Sequence, residues 1–283
     1  MIVPIAVLYL TSAQRPKSAL PALSASGRVT TVDGRGVAGA EIRVEGTNDR
    51  GGIQTFALKS GPDGRYSGRI LPGIYRVRAW VPRTYNDVFG YWLGTEPKTG
   101  EWNDEFDTHK GSIARDFVWK ISGTKKGLDP KETRNHWGGW GGVMVGAERY
   151  EERELFPKFP KQADVILTFT PTQKTIDGSA GKPVRFEFKD AVSAAAMKEA
   201  ETWGRADAGF YKDVPIGEYT VRAEFRLPDG STVPANLAAH VDLGDRTEVR
   251  HPAPEQTVQW HPARDTQYEA RSVAPIGLYV LPR

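Results

Sequence analysis

The chain has 283 residues, enough for one large domain or two ordinary ones, each with its own core. Hydrophobic residues make up 39% and charged residues 26%, a globular composition that excludes a disordered chain. The 38 basic and 35 acidic residues leave a formal charge of only +3, with no run of Lys and Arg, so a phosphate-tracking nucleic-acid surface is not expected.

Cysteine is absent, which excludes disulfides, thiolate chemistry and Cys-ligated metal. The 30 glycines and 20 prolines exceed the roughly 12% share of ordinary chains. Such an excess suits many short strands joined by turns, because Gly and Pro punctuate turns and interrupt helices. The expected fold class is therefore all-β, with at most one short helix.

Residues 1–10 are nearly continuously apolar from Ile2 to Leu10 and are followed by Thr11, Ser12 and Ala13. This reads as the apolar region of a secretory signal peptide with cleavage after Ala13, although the usual basic residues before it are missing. An ordinary buried strand is the alternative. Export places the mature chain in the periplasm, at the cell surface or outside the cell. No later segment approaches the about 20 apolar residues of a membrane span, so none is expected in the mature chain. Arg15 to Ser26, rich in Pro, Ala and Ser, reads as a linker and completes a signal-and-linker segment over 1–26.

Strand and turn patterns then follow closely. Val29 to Val32 is a β-branched run ended by Asp33-Gly34, a tight-turn pair. Ala40, Ile42 and Val44 alternate with Glu41 and Arg43, the period of a half-buried strand. Asp63-Gly64 makes a second turn; Tyr75, Val77, Ala79 and Val81 alternate with Arg76, Arg78 and Trp80; and Phe117 to Ile121 reads as a further strand. Residues 27–122 form a first sandwich on this reading. Residues 123–163 are a Gly/Trp-rich connector, 164–250 a second, divergent sandwich, and 251–283 a Pro-rich tail that ends in an apolar, strand-like run from Ile276 to Val280. A helix is expected only around Ala191 to Thr202.

The second sandwich rests on a gapless offset of 144 positions. It places Asp33-Gly34 on Asp177-Gly178, Ala40, Ile42 and Val44 on Val184, Phe186 and Phe188, and Gly73-x-Tyr75 on Gly217-x-Tyr219. Two copies of one sandwich topology explain the match, although Gly-x-Tyr-x-Val patterns also recur among unrelated β-domains.

The stretch Gly27-Arg28-Val29, then Asp33-Gly34, then Val37-Ala38-Gly39-Ala40, with Asp63-Gly64-Arg65-Tyr66 and Leu71-Pro72-Gly73-Ile74-Tyr75-Arg76-Val77, resembles carboxypeptidase regulatory-like domains. The resemblance implies a transthyretin-like seven-stranded sandwich over residues 26 to about 122, and more weakly over 164–250, so that the all-β chain would be tandem transthyretin-like or immunoglobulin-like β-sandwiches. Gly73 and Gly217 would permit a tight turn into a central strand, and the hydroxyls of Tyr75 and Tyr219 would reach backbone at the sandwich edge. The motif speaks for fold and is nearly silent on function.

No H-E-x-x-H, G-x-S-x-G or P-loop motif is present, and none of His109, His136, His240, His251 or His261 has Glu three residues later. A non-catalytic binding or structural module, with no cofactor and no metal, is the expectation. It would be a scaffold touching protein or polymer through loops and sheet edges; a carbohydrate-binding module is the alternative. Residues 85–113 read as a long loop in which Tyr91, Trp92 and Trp102 lie among carboxylates, a mixture suited either to sugar rings or to covering the sandwich end. Trp137 and Trp140, separated by glycines, are a second aromatic candidate. Asp104, Glu105 and Asp107 lack Ca²⁺-loop spacing and read as a solvated acidic turn.

Overall fold

The computed structural model describes residues 23–123, 125, 126, 140, 143–146, 159–189, 210–242, 247–262 and 276–283. The signal-peptide reading, the helix expected over Ala191 to Thr202, and Trp137 lie outside these residues. Strands dominate, and the only helical piece among the described residues is a three-residue 3-10 turn, Thr108–Lys110. The chain is all-β, as its alternation predicts.

The first half contains β1 (Ser24–Thr31), β2 (Glu41–Asn48), β3 (Ile53–Lys59), β4 (Arg65–Arg69), β5 (Gly73–Tyr85), β6 (Val88–Pro97), β7 (Glu105–Asp107), β8 (Ile113–Ala114) and β9 (Phe117–Trp119). They form one hydrogen-bonded path, β3-β2-β5-β6-β9-β1-β4, with β7 on β5 and β8 on β1. The path folds over at β6, whose Leu93 and Gly94 pair with β5 while Thr95 to Pro97 pair with β9. Ile42, Val44, Tyr75 and Val77 thereby share a core with Val29 and Phe117, all without solvent exposure. A Cβ on Gly68 in β4 would lie 2.2 Å from the Leu58 side chain of β3, so these two end strands close the sandwich directly on each other.

The second half contains β10 (Val143–Gly146), β11 (Asp164–Pro171), β12 (Val184–Phe188), β13 (Phe210–Lys212), β14 (Glu218–Arg226), β15 (Thr232–Pro234), β16 (Asn236–Asp242), β17 (Thr247–Ala253), β18 (Glu255–Gln259) and β19 (Ile276–Leu281). One sheet runs β12-β11-β14-β15 with β18 also on β14; the other runs β13-β10-β19-β16-β17. The stretch read as a connector supplies β10, and the stretch read as a tail supplies β18 and β19. The prolines beside β18 and β19 fall outside those two strands, and Gln256 and Val258, and Leu278 and Val280, point inward.

The 144-residue offset survives as motif and not as topology. Thr31 N–H bonds the Arg35 carbonyl at 2.8 Å and Thr175 N–H bonds the Ser179 carbonyl at 3.1 Å, with Asp33 and Asp177 each accepting from the Thr hydroxyl. Tyr75 and Tyr219 are both fully buried. Yet β2 pairs directly with β5, whereas β11 lies between β12 and β14. The expected bond from each Tyr hydroxyl to backbone is also absent: neither Tyr75 Oη nor Tyr219 Oη has a hydrogen-bond partner. Apolar packing keeps these rings inside, and burial raises both phenol pKa values.

Candidate functional site

The span expected as a loop, 85–113, is mostly a hairpin. Its turn is Asn86-Asp87, both at positive φ (48° and 61°), the geometry of a two-residue turn matched to strand twist. Asn and Asp tolerate that region better than other non-glycine residues. Alternation then sends Tyr85, Tyr91 and Leu93 inward and Trp92 outward.

Tyr91 is therefore a buried residue and not a surface platform. Its hydroxyl donates to the Trp260 carbonyl at 2.5 Å and accepts from Gln259 Nε2 at 3.2 Å, and burial pushes its pKa up to about 12. Tyr85 Oη donates to the Lys174 carbonyl at 2.7 Å, and Asn86 Nδ2 to Gln259 Oε1 at 2.7 Å. This end of the β5–β6 hairpin joins the first half to the second. Trp140 is also buried; its backbone N–H bonds the Gly123 carbonyl at 2.9 Å, and Lys125 Nζ lies 5.4 Å from its ring.

Trp92 and Trp102 behave differently. Both are half-buried and lie on the outer face of the β2–β5–β6 sheet. Trp102 packs edge-on against Trp80, with ring centroids 5.9 Å apart and planes at 89°. The Arg43 guanidinium lies 5.3 Å from the Trp80 ring and 5.9 Å from the Trp92 ring. Trp80, which faces outward from β5, and Arg43 are the residues that sequence reasoning missed; both were visible as the polar-face positions of alternating strands. The cluster is an indole wall around a cation, with Trp80 and Trp102 perpendicular to each other.

The loop before β7 lies across the same face. Arg78 Nη2 donates to Asn103 Oδ1 at 2.8 Å, and Arg76 Nη2 to Glu105 Oε1 at 2.6 Å. Asp104 Oδ2 accepts from Glu101 N–H at 2.7 Å and stands 4.0 Å from Arg115, whose guanidinium packs over Phe106 and Phe117. Burial lowers the Arg115 pKa. Asp107 bonds His109 Nδ1 at 2.7 Å, and Asp49 bonds Nε2 at 3.0 Å. The carboxylates of the acidic turn are thus divided among separate partners, and no group of three His, Asp or Glu among the described residues is placed to hold a metal.

A second concavity, an open cleft of about 690 Å³, is lined by Arg28, Arg65, Lys98, Tyr66 and Asp116. Asp116 already accepts from the Arg28 N–H at 2.8 Å, and Tyr66 Oη donates to the Arg115 carbonyl at 2.5 Å, so these polar groups serve the fold.

No family model matches the chain, and no curated protein matches it. Among solved structures, a DUF3823 family protein of Parabacteroides merdae is 13% identical, over 84% of this chain and 99% of that one, with a TM-score of 0.24. The TIE protein of Bacillus anthracis is 8% identical over 85% of this chain and 44% of its own, with a TM-score of 0.31. A C-terminal fragment of the pilus adhesin SpaC of Lactobacillus rhamnosus GG is 12% identical over 92% and 96%, with a TM-score of 0.28. At TM-scores of this size no function passes from those proteins to this chain.

Proposed function

We propose that the chain is a non-catalytic, exported module of two β-sandwiches that contacts a polymer or protein through loops and sheet faces. The observation that carries this reading is the outer face of β2, β5 and β6, where Trp80, Trp92, Trp102 and Arg43 stand together. In this reading the first sandwich, residues 27–122, belongs with carboxypeptidase regulatory-like domains. The second takes in β10 through β19.

A carbohydrate ligand is favoured over a protein one by the half-buried indoles of Trp92 and Trp102 beside charged hydrogen-bonding groups. Sugar C–H faces stack on indole while hydroxyls bond to Arg and carboxylate groups. Native gels containing a panel of polysaccharides test this. Retention of the full chain in at least one gel, lost in Trp92→Ala while Tm is unchanged, is the expected result. Migration that no polysaccharide slows overturns the carbohydrate reading.

A further inference from the structure

On the outer face of the first sandwich, the register of β2 against β5 sets Arg43 directly opposite Arg78. Like charges directly opposite each other on one sheet face repel and weaken the pair. The neighbouring positions do not fully relieve it. Glu45 approaches Arg78 at 3.9 Å, too far for a hydrogen bond, and Glu41 stands opposite Trp80 and Lys59. The Arg43 side chain has no ion pair or hydrogen bond among the described residues; its contacts are the rings of Trp80 and Trp92. On β2's other side its neighbour is Ala57, which offers the guanidinium no side-chain acceptor.

Two further donors on this face lack acceptors. Arg78 Nε and Trp80 Nε1 are buried with no hydrogen-bond partner. Buried donors without acceptors are costly, more so when charged. Both atoms are closed to solvent, so the donor that a ligand can reach is the half-buried Arg43 guanidinium, which rests on indole rings and lacks an acceptor among the described residues. A planar carboxylate meets that need, because guanidinium forks match carboxylate geometry with two parallel bonds.

We infer that the Arg43–Arg78 pair seats the carboxylate of an acidic sugar in a polysaccharide, with Trp92 and Trp102 covering the sugar ring. This deepens the carbohydrate reading above and rests on it. An acidic peptide is the rival source of carboxylate, and the indole wall favours the sugar, whose ring offers C–H faces beside the charged group. Arg43 binds the anion, and Arg78, fixed through Asn103, positions it.

Affinity electrophoresis of the full chain in polygalacturonate, before and after methyl esterification, separates the two claims. The two polymers share one sugar backbone, and esterification replaces the charged carboxylate with a neutral, slightly larger methyl ester. Expected is retention by the free acid, weakened roughly tenfold or more by esterification or by Arg43→Gln, the size of a lost charge-assisted bond. Raising ionic strength from about 0.05 to 0.5 M weakens it similarly, since exposed charges are screened. Arg43→Gln removes a like-charge neighbour, so its Tm does not fall, and Arg43→Lys does not restore full retention because the bidentate fork is gone. Equal retention by acid and ester overturns the carboxylate seat while the carbohydrate reading stands. Retention by neither overturns the carboxylate seat, and the carbohydrate reading falls with it only if the neutral polysaccharides also fail. Equal retention by poly-glutamate overturns the sugar assignment and makes the ligand an acidic chain.

Discussion

The Tyr91 hydroxyl and the Trp260 carbonyl, 169 positions apart in the chain, meet at 2.5 Å. Tyr91 sits without exposure at the β5–β6 hairpin, and Trp260 follows β18 and packs edge-on against Tyr219 at 5.9 Å. The bond therefore couples the cores of the two sandwiches. Tyr91→Phe keeps the ring and removes the donor, leaving a buried carbonyl and Gln259 without this partner. A loss of about 1–3 kcal/mol is expected. Calorimetry should show it as a lower Tm and as broadening of a single transition into two, because the halves lose coupling. An unchanged profile would mean that the remaining contacts between the halves, including Tyr85 to Lys174 and Asn86 to Gln259, couple them without this bond.

Thr108 anchors the start of β5. Its hydroxyl accepts from the Gly73 N–H at 2.7 Å and donates to the Gly73 carbonyl at 2.9 Å, with the side chain buried. The other flank of Gly73 is equally tight: an added Cβ would lie 2.3 Å from the Thr47 carbonyl oxygen. Thr108→Val keeps the shape and strands both backbone groups, which should cost about 1–3 kcal/mol. Thr108→Ser, which retains the hydroxyl, should recover most of the loss in a denaturant midpoint. Equal destabilisation by both would show that the methyl group matters and the bonds do not.

His109 makes stability depend on pH. Its hydrogen bonds to Asp107 and then Asp49 raise its pKa, and the same contact lowers that of Asp107. The His contribution is fully present below the ordinary imidazole value of about 6.5 and is lost as pH rises through the raised folded value. The Asp107 contribution is present above the ordinary carboxylate range and is lost as pH falls through its lowered value. Both side chains are partly solvated, so the effect is small. An NMR titration should place the His109 midpoint above that of free histidine. Asp107→Asn should bring it down further than Asp49→Asn; the reverse order would misplace the stronger partner.

Hydrolysis of peptides and esters should be absent, and added zinc should not create it. Metal-assisted hydrolysis needs about three ligands around an open position, whereas His109 is committed to two carboxylates that belong to different turns. Turnover that appears with zinc and disappears in His109→Ala would overturn the non-catalytic reading.

Much of the fold was legible from period alone. Ile42 and Val44, and Tyr75 through Val81, alternate as written and point inward as expected. The β5–β6 hairpin was not legible, because its turn is Asn86-Asp87 without glycine at either position and its inward Tyr residues resemble loop aromatics among acids. The strand β19 was legible as the apolar run Ile276 to Val280, whereas β18 escaped notice because its neighbours are proline-rich. For the candidate site, Trp92 and Trp102 were visible as residue types. That Arg43 lies opposite Arg78 depends on a register between β2 and β5, and no local pattern encodes that pairing.

The position of β19 in its sheet has a consequence for how the protein comes into being. It lies between β10 and β16, at the middle of the order β13-β10-β19-β16-β17, and its pairing with β10 spans more than 100 residues of sequence. Such high contact order slows folding. The ribosome releases β10 long before residues 276–281 exist to bridge it to β16, so two of this sheet's flanks wait with open edges. The first sandwich, complete once β9 is made, can form before the second, which closes only once β19 has emerged. That interval is when the nascent chain is most exposed to aggregation and most in need of a chaperone.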